Sequence, residues 1–415
     1  MATYRTLYQN QPFRALWIGT LMVRLGVQFG VLSLTWLVLD TTGSAAKIGV
    51  VLAVYATGDM LASPLVGILL DRWPRKFLLN GDNIVQGLIF ATLATLFMLH
   101  RLPFVLLLML VAAAGALSPL AYIGRMIILP NVVAHDQWES ANTVMQLNMN
   151  MVTLLGPALG GVLVAGIGVG ATLMITAACF AVYFATLTLI PTASFSGDEP
   201  LHTPASFKHD LLHGWKFIGQ TPLLLTLVVV TLMFSLTYGP LEPALPVMVK
   251  QVFHQGPETL GLLWSGFAAG AILGTLLWGR WHPLWPLREV VSAIIILWGL
   301  FSGAVGLTSH AWIAASLLAL GGLAYAPYMI LFSLWRQKLV PDFMRGKVFG
   351  TINGLTGLGL PVGQALGGLL VGVIGPAGTV EFGGAACVVL GIIAFLLKNA
   401  WAVPLAPKAD SPAES

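Results

Sequence analysis

Apolar stretches of roughly 20 residues alternate with short polar turns along the whole chain, leaving no segment for a soluble domain. Each stretch is long enough to cross a ~30 Å hydrocarbon core as a helix, which satisfies its own backbone there. The pattern predicts an all-α integral membrane protein with twelve spans, at approximately 13–39, 48–70, 77–99, 103–124, 140–166, 170–190, 223–249, 258–280, 290–308, 311–334, 347–373 and 379–398. The first run is long and followed by further spans, so it reads as a retained first helix rather than a cleaved signal peptide. The longest connection, 191–222, gives an N-terminal six-helix half at 1–190, a cytoplasmic linker, a C-terminal six-helix half at 223–400 and a tail at 401–415. In the linker, Phe207, Leu211, Leu212, Trp215 and Ile218 have the spacing of an amphipathic helix on a membrane face. The tail is rich in Pro, Ala and Ser, a composition that predicts disorder.

The two halves repeat each other. Gly160–Gly168 recurs as Gly367–Gly375 at an offset of 207, and Ala177-Ala178-Cys179 as Ala385-Ala386-Cys387 at 208. Gly49, Gly58 and Gly67 correspond to Gly261, Gly270 and Gly279 at 212, and Arg125 and Pro130 to Arg336 and Pro341 at 211. Four matches in register with a slowly drifting offset point to two parallel six-helix units related by an axis along the membrane normal.

Composition agrees with the pattern. Hydrophobic residues make up 57% of the chain and charged residues 9%, against ~25% charged in soluble domains; mean hydropathy is +0.87. The net charge of +4 is a topology signal rather than a nucleic-acid signal. With the N-terminus cytoplasmic, sixteen Lys and Arg residues fall on the cytoplasmic side, three (Lys47, Arg101 and Lys250) fall outside, and Arg24 lies within a span. Cys179 and Cys387 sit in apolar runs and the histidines lack zinc-ligand spacing, so no metal site and no cofactor is expected. Without a Gly-x-x-x-x-Gly-Lys-Ser/Thr loop, transport would be passive or ion-coupled rather than powered by ATP.

One polar turn stands out. Gly67-Ile-Leu-Leu-Asp71-Arg72-Trp-Pro74-Arg75-Lys76 places four charges within six positions, so it must lie at a membrane surface. Its spacing resembles the loop between helices 2 and 3 of the major facilitator superfamily. Asn10-Gln-Pro-Phe-Arg-Ala-Leu-Trp17, Thr42-Gly-Ser44, Leu129-Pro130 followed by Ala141-Asn142, and Arg345-Gly-Lys-Val348 are similar to the branch holding macrolide-efflux proteins and siderophore exporters. Gly156-Pro157-Ala-Leu-Gly160-Gly161 in the fifth span resembles the antiporter motif. The resemblance implies export of small molecules across a bacterial inner membrane by proton antiport, a rocker-switch mechanism and a central cavity, in a monomer without nucleic-acid partners. It also implies that Gly67, Asp71, Arg72, Arg75 and Lys76 form a gating latch, with Asp71 near the helix start at Arg345–Lys347. Two departures are visible: Pro74 stands where the family usually has a small residue, and Val27 where many members carry an acid.

The ionisable groups well inside spans are Arg24, Asp59 and Glu242. Arg24 and Asp59 lie near the midplane of neighbouring antiparallel spans, which predicts an Arg24–Asp59 interaction. That interaction is either a fixed structural pair or a proton-coupling pair in which Asp59 exchanges the proton. Glu242, among prolines that let the seventh span bend, is either wet near the outer mouth or a second protonatable or cation-attracting group. Asp82, six residues into the third span, lies close to the cytoplasmic surface and reads as structural. Trp17 and Gln28 share the face of Arg24, and Tyr55 that of Asp59; with Gln146, Asn150, Tyr238, Asn353 and Gln364 they are the substrate-cavity candidates, glue between helices being the other role of the amides. Tyr122, Tyr325, Tyr328 and Trp335 read as cavity aromatics or interfacial anchors. Lysophospholipid flipping and metal-cation export are alternatives within the fold, and a non-transporting receptor or scaffold is an alternative of another class; the last predicts a closed, apolar interior.

Overall fold

The computed structural model describes residues 7–195, 207–280, 285–341 and 344–401, which form α-helices joined by short turns and 3-10 segments. The predicted tail therefore lies outside the described residues. The first set of helices is α1 (Gln11–Thr42), α2 (Ala45–Arg72), α3 (Arg75–Met98), α4 (Phe104–Val132) and α5 (Trp138–Thr188). A connecting helix α6 (Phe207–Gln220) follows. The second set is α7 (Pro222–Tyr238), α8 (Leu241–Gln251), α9 (Pro257–Arg280), α10 (Leu287–Ala304), α11 (Ala311–Leu339), α12 (Arg345–Gly357) and α13 (Gly359–Leu396).

Local chemistry sets the first boundaries. The Asn10 side chain accepts from the Phe13 N–H at 3.2 Å and starts α1, and left-handed Gly43 (φ 60°) ends it. Ser44 caps α2 through the Lys47 N–H at 3.3 Å. At the other end Pro74 forces Trp73 into an extended conformation (φ −119°, ψ 152°), and α3 starts directly afterwards.

Ten stretches among the described residues are long and apolar enough to cross a membrane. Two of them are too long for one crossing: the 51 residues of α5 would extend about 76 Å if straight. Each is broken at a glycine, Gly168 in α5 (φ 83°, ψ 166°) and Gly375 in α13 (φ 75°, ψ 170°), in a region closed to L side chains. Dividing the stretches there yields twelve apolar segments. The two breaks are 207 residues apart, the offset at which the surrounding sequence repeats. The seventh apolar run bends at Gly239-Pro240, where α7 gives way to α8, as its prolines lead one to expect.

The packing is paired. In the first set α1 and α3 pack on α5, and α2 packs on α4; in the second, α7, α8 and α10 pack on α13, and α9 packs on α11. Across the sets, α2 runs along α13 and α9 along α5. The crossings depend on Gly49 and Gly261, partners in the repeat. A Cβ on Gly49 would strike the Gln364 carbonyl and crowd Gly368 Cα at 3.1 Å; one on Gly261 would strike the Pro157 carbonyl and crowd Ala158 Cα at 3.1 Å.

The linker helix forms where amphipathicity predicts it, but it docks on α12 as well as following the bundle end. Gly214 sits against Thr351 and Ile218 is buried, while Trp215 is exposed. The side chains of Phe207, Leu211 and Leu212 lie outside the described residues.

Candidate functional site

A cavity of about 250 Å³ lies between the two sets of helices. α1 contributes Gln28, Val31, Leu32 and Thr35; α2 contributes Leu52; α5 contributes Thr153 and Pro157. The opposite wall is Glu242 and Pro246 of α8 with Leu260, Trp264, Phe267 and Ala268 of α9. The walls are mostly apolar, with two aromatic rings, three neutral polar side chains and one carboxylate. The Gln364 amide of α13 donates to Glu242 Oε2 at 2.6 Å, which holds the carboxylate at the cavity edge. Glu242 thus stands at a cavity between the helix sets, half-buried.

Phe267 anchors an aromatic cluster behind the α9 wall. Its ring centroid is 5.4 Å from Trp298 and 5.8 Å from Tyr325, and Trp298 in turn meets Tyr238 at 6.2 Å. Tyr328 is buried, shares a 2.7 Å hydrogen bond with Thr231 and packs on Phe234. Tyr325 and Tyr328 thus belong to the interior of the second set rather than to an interfacial belt, whereas Tyr122 is exposed.

The cavity is closed toward the end of the bundle remote from the two chain termini. There the glycine crossings bring the sets together, and Lys250 Nζ reaches Asp40 Oδ1 at 2.5 Å. Toward the terminal end it is open. Gln146 and Asn150, two turns and one turn before Thr153 on the same α5 face, are exposed, and the Gln146 amide donates to Asn150 Oδ1 at 3.1 Å. Asn353 is exposed as well and accepts from Arg336 Nη1 at 3.1 Å. Of the candidates drawn from sequence, Gln28 and Glu242 line the cavity and Gln364 and Tyr238 back it. Gln146 and Asn150 continue its wall, while Asn353 lies beyond it. Trp17 packs edge-on against Tyr8, and its carbonyl accepts from Asn148 at 3.2 Å, a structural placement.

The antiporter-like motif serves packing on both sides of α5. A Cβ on Gly156 would meet Gln28 Cγ at 2.9 Å, and one on Gly160 would meet Phe29 at 3.2 Å. Gly161 faces Pro257 and Glu258 of α9 at 2.5 and 2.9 Å from its notional Cβ, and Pro157 lines the cavity.

The expected Arg24–Asp59 interaction is not formed. Asp59 accepts a hydrogen bond from Ser118 of α4, with Tyr55 beside the same hydroxyl. Arg24 instead faces Arg125, Tyr122 and Tyr183. The reason is packing: α1 lies mainly on α5, and α2 lies on α4 and α13, so helices adjacent in sequence barely touch. Asp82, two turns from the start of α3, is not wet as a place near the surface would lead one to expect: it is 3% exposed, with the Gln86 amide beside it.

At the charged turn, Lys76 Nζ donates to the Ile190 and Thr188 carbonyls at 2.6 and 3.4 Å and lies 5.4 Å from the Phe195 ring. Arg75 donates to Leu70 O at 3.3 Å and Phe195 O at 3.4 Å. Lys76 therefore serves carbonyls at the end of α5, and Arg75 serves one at the end of α2 and one in the 3-10 segment that follows α5, all within the first set. Arg72 is exposed, and the side-chain positions of Gly67 and Asp71 lie outside the described residues. Sequence reasoning missed Thr35, Trp264 and Phe267. The rings of Trp264 and Phe267 share a face of α9 but look like ordinary membrane-helix composition.

The family model for transmembrane secretion effectors matches residues 2–398. The multidrug efflux pump Tap of Mycobacterium tuberculosis is 26% identical over 402 residues, covering 94% of each chain. Macrolide efflux protein A of Streptococcus pyogenes is 20% identical over 368 residues, covering 88% of this chain and 90% of that protein. Among solved structures, a bacterial homologue of the human lysosomal transporter Spinster superposes with a TM-score of 0.70 at 14% identity, covering 95% of this chain and 98% of the other.

Proposed function

The chain belongs to the transmembrane secretion effector family of major facilitator transporters, and on that footing we propose that it exports amphipathic small molecules, of drug, macrolide or siderophore type, by proton antiport. The cavity is the observation that carries the substrate class. An apolar chamber with Trp264 and Phe267 on one wall and the Glu242 carboxylate at its edge suits a lipophilic molecule that bears a cationic group. Relatives named as multidrug and macrolide efflux proteins support the direction.

The mechanism is alternating access by a rocking of the two helix sets, the units of the sequence repeat. The cavity is sealed at one end by the Gly49 and Gly261 crossings and the Asp40–Lys250 pair and continues to the other along Gln146 and Asn150. Charge placement makes the open end cytoplasmic, which fits a carrier ready to load from inside. The chain works as a monomer in the bacterial inner membrane, and protons are the coupling ion. A receptor or scaffold of the same fold would have a closed apolar interior, and Gln28, Thr35, Thr153 and Glu242 around an open chamber speak against it.

The test is efflux of ethidium, a lipophilic cation, from proteoliposomes under an imposed pH gradient. The reading expects gradient-dependent ethidium transport with proton flow in the opposite sense; no transport of ethidium or of a neutral macrolide overturns it.

A further inference from the structure

We propose that Asp82 is the proton-carrying carboxylate of this transporter, with Arg24 and Arg125 of the same helix set as the cations available to its charge when the proton leaves. The inference rests on the antiport reading and locates its proton site.

Asp59, Asp82 and Glu242 lie within the spanning stretches of the described residues, and two of them are served. Asp59 has the Ser118 hydroxyl and Glu242 the Gln364 amide. Asp82 is the least served: it is 3% exposed, neither oxygen meets hydrogen-bond geometry, and the neutral Gln86 amide is the polar group beside it. On α3 the Gln86 amide also donates to the Ala114 carbonyl at 3.3 Å, and the Asn83 amide donates to the Leu79 carbonyl at 2.7 Å. A buried carboxylate with one neutral amide beside it and no ion pair is a form that apolar surroundings tolerate poorly, so the neutral acid fits this conformation.

Charged and titratable groups of the same helix set stand on the four other helices. Arg24 stands on α1, Tyr55 and Asp59 on α2, Tyr122 and Arg125 on α4, and Tyr183 on α5. Tyr183 lies in the fields of Asp82, Arg24 and Arg125 together, and Tyr55 in those of Asp59 and Asp82. Two guanidinium groups and two carboxylates thus belong to the spanning helices of the first set, and no ion pair joins them among the described residues.

The arrangement reads as a switch rather than as glue. Seven residues into α3, Asp82 lies about 10 Å from the terminal end, close enough for a small shift of α1 or α4 to admit water. The acid O–H bond then breaks, the proton passes to water on that side, and the electron pair stays on a carboxylate that pairs with a guanidinium. The second half carries no copy: at offsets of 211 and 212 the counterparts are Ala293 and Ile294, both apolar, so the bundle architecture does not require an acid here. Nor does Asp82 line the cavity, which separates the proton site from the substrate site and makes coupling conformational.

The experiment compares wild type, Asp82→Asn and Asp82→Glu in proteoliposomes, with ethidium as probe, alongside infrared spectra of the purified proteins at neutral pH. Asp82→Asn should lose a carboxylic-acid C=O band and all pH-gradient dependence of ethidium transport while still binding ethidium, and Asp82→Glu should restore the gradient dependence. Ethidium binding by Asp82→Asn shows that the variant is folded. An unchanged pH dependence in Asp82→Asn, or a C=O band that persists in it, overturns the assignment while leaving antiport standing. Wild-type transport that moves no protons overturns the antiport reading and this inference with it. Should ethidium not be carried, the infrared band alone decides.

Discussion

Asp40 at the end of α1 and Lys250 at the end of α8 meet at 2.5 Å across the two helix sets, on the side where the cavity is closed. Both side chains are more than two-fifths exposed (42% and 44%), so their attraction is screened and worth roughly 0.2–1 kcal/mol. Asp40→Asn should therefore raise the population open at that end by no more than about fivefold, with little effect on thermal stability. Spin-label distances between the outer ends of α1 and α8 check this, and a complete collapse of the closed form would show that the pair does far more than assigned.

The glycine crossings should matter more. Gly261→Val or Gly49→Val puts a branched side chain into the Pro157 or Gln364 backbone, and no rotamer escapes a clash with a main chain. Each variant should stay folded but lose the closed form, and transport with it. Cross-linking of cysteines placed on α5 and α9 reads the change directly; efficient cross-linking with intact transport would mean that the crossing is not tight in the working cycle.

Glu242 should set charge preference rather than coupling. Replacing it by Gln keeps the shape beside Gln364 and removes the one negative charge lining the cavity. A carboxylate some 10 Å from a ligand cation at an effective dielectric near 20 contributes roughly 1.7 kcal/mol. Ethidium affinity should accordingly fall by on the order of tenfold, with a neutral macrolide unaffected. Equal losses for both ligands would place Glu242 in the transport cycle instead.

Lys76→Met should free the turn from the Ile190 and Thr188 carbonyls, at a cost of about 0.3–1 kcal/mol. The account expects slower transport of every substrate alike. The same outcome is expected of Asp71→Asn if that turn acts as a latch. A change in substrate preference in either variant would contradict the assignment of this turn to gating.

Much of the fold is written in the sequence because the repeat is. The offset of 207 links Gly168 to Gly375, and both turn out to be the positive-φ breaks that divide long helices into two crossings. Gly49 and Gly261 likewise occupy equivalent crossings. Side-chain partnership was less legible. Arg24 and Asp59 sit at matching depths on helices joined by a two-residue turn, yet α1 turns its contacts to α5 and α2 turns its own to α4 and α13. Depth along a helix misled in the same way for Asp82, whose burial is decided by the helices packed around α3 rather than by its distance from the helix end. Trp264 and Phe267 were silent because apolar residues on a membrane helix look alike whether they face lipid, a neighbour or a cavity.

The central claim is that this chain moves an amphipathic substrate against protons. Ethidium transport into inside-out vesicles, followed with an internal pH indicator, tests it most directly. The account predicts that ethidium entry makes the lumen more alkaline and that collapsing the pH gradient stops accumulation. Accumulation that continues after the gradient has been collapsed, with no change in lumenal pH, would contradict it.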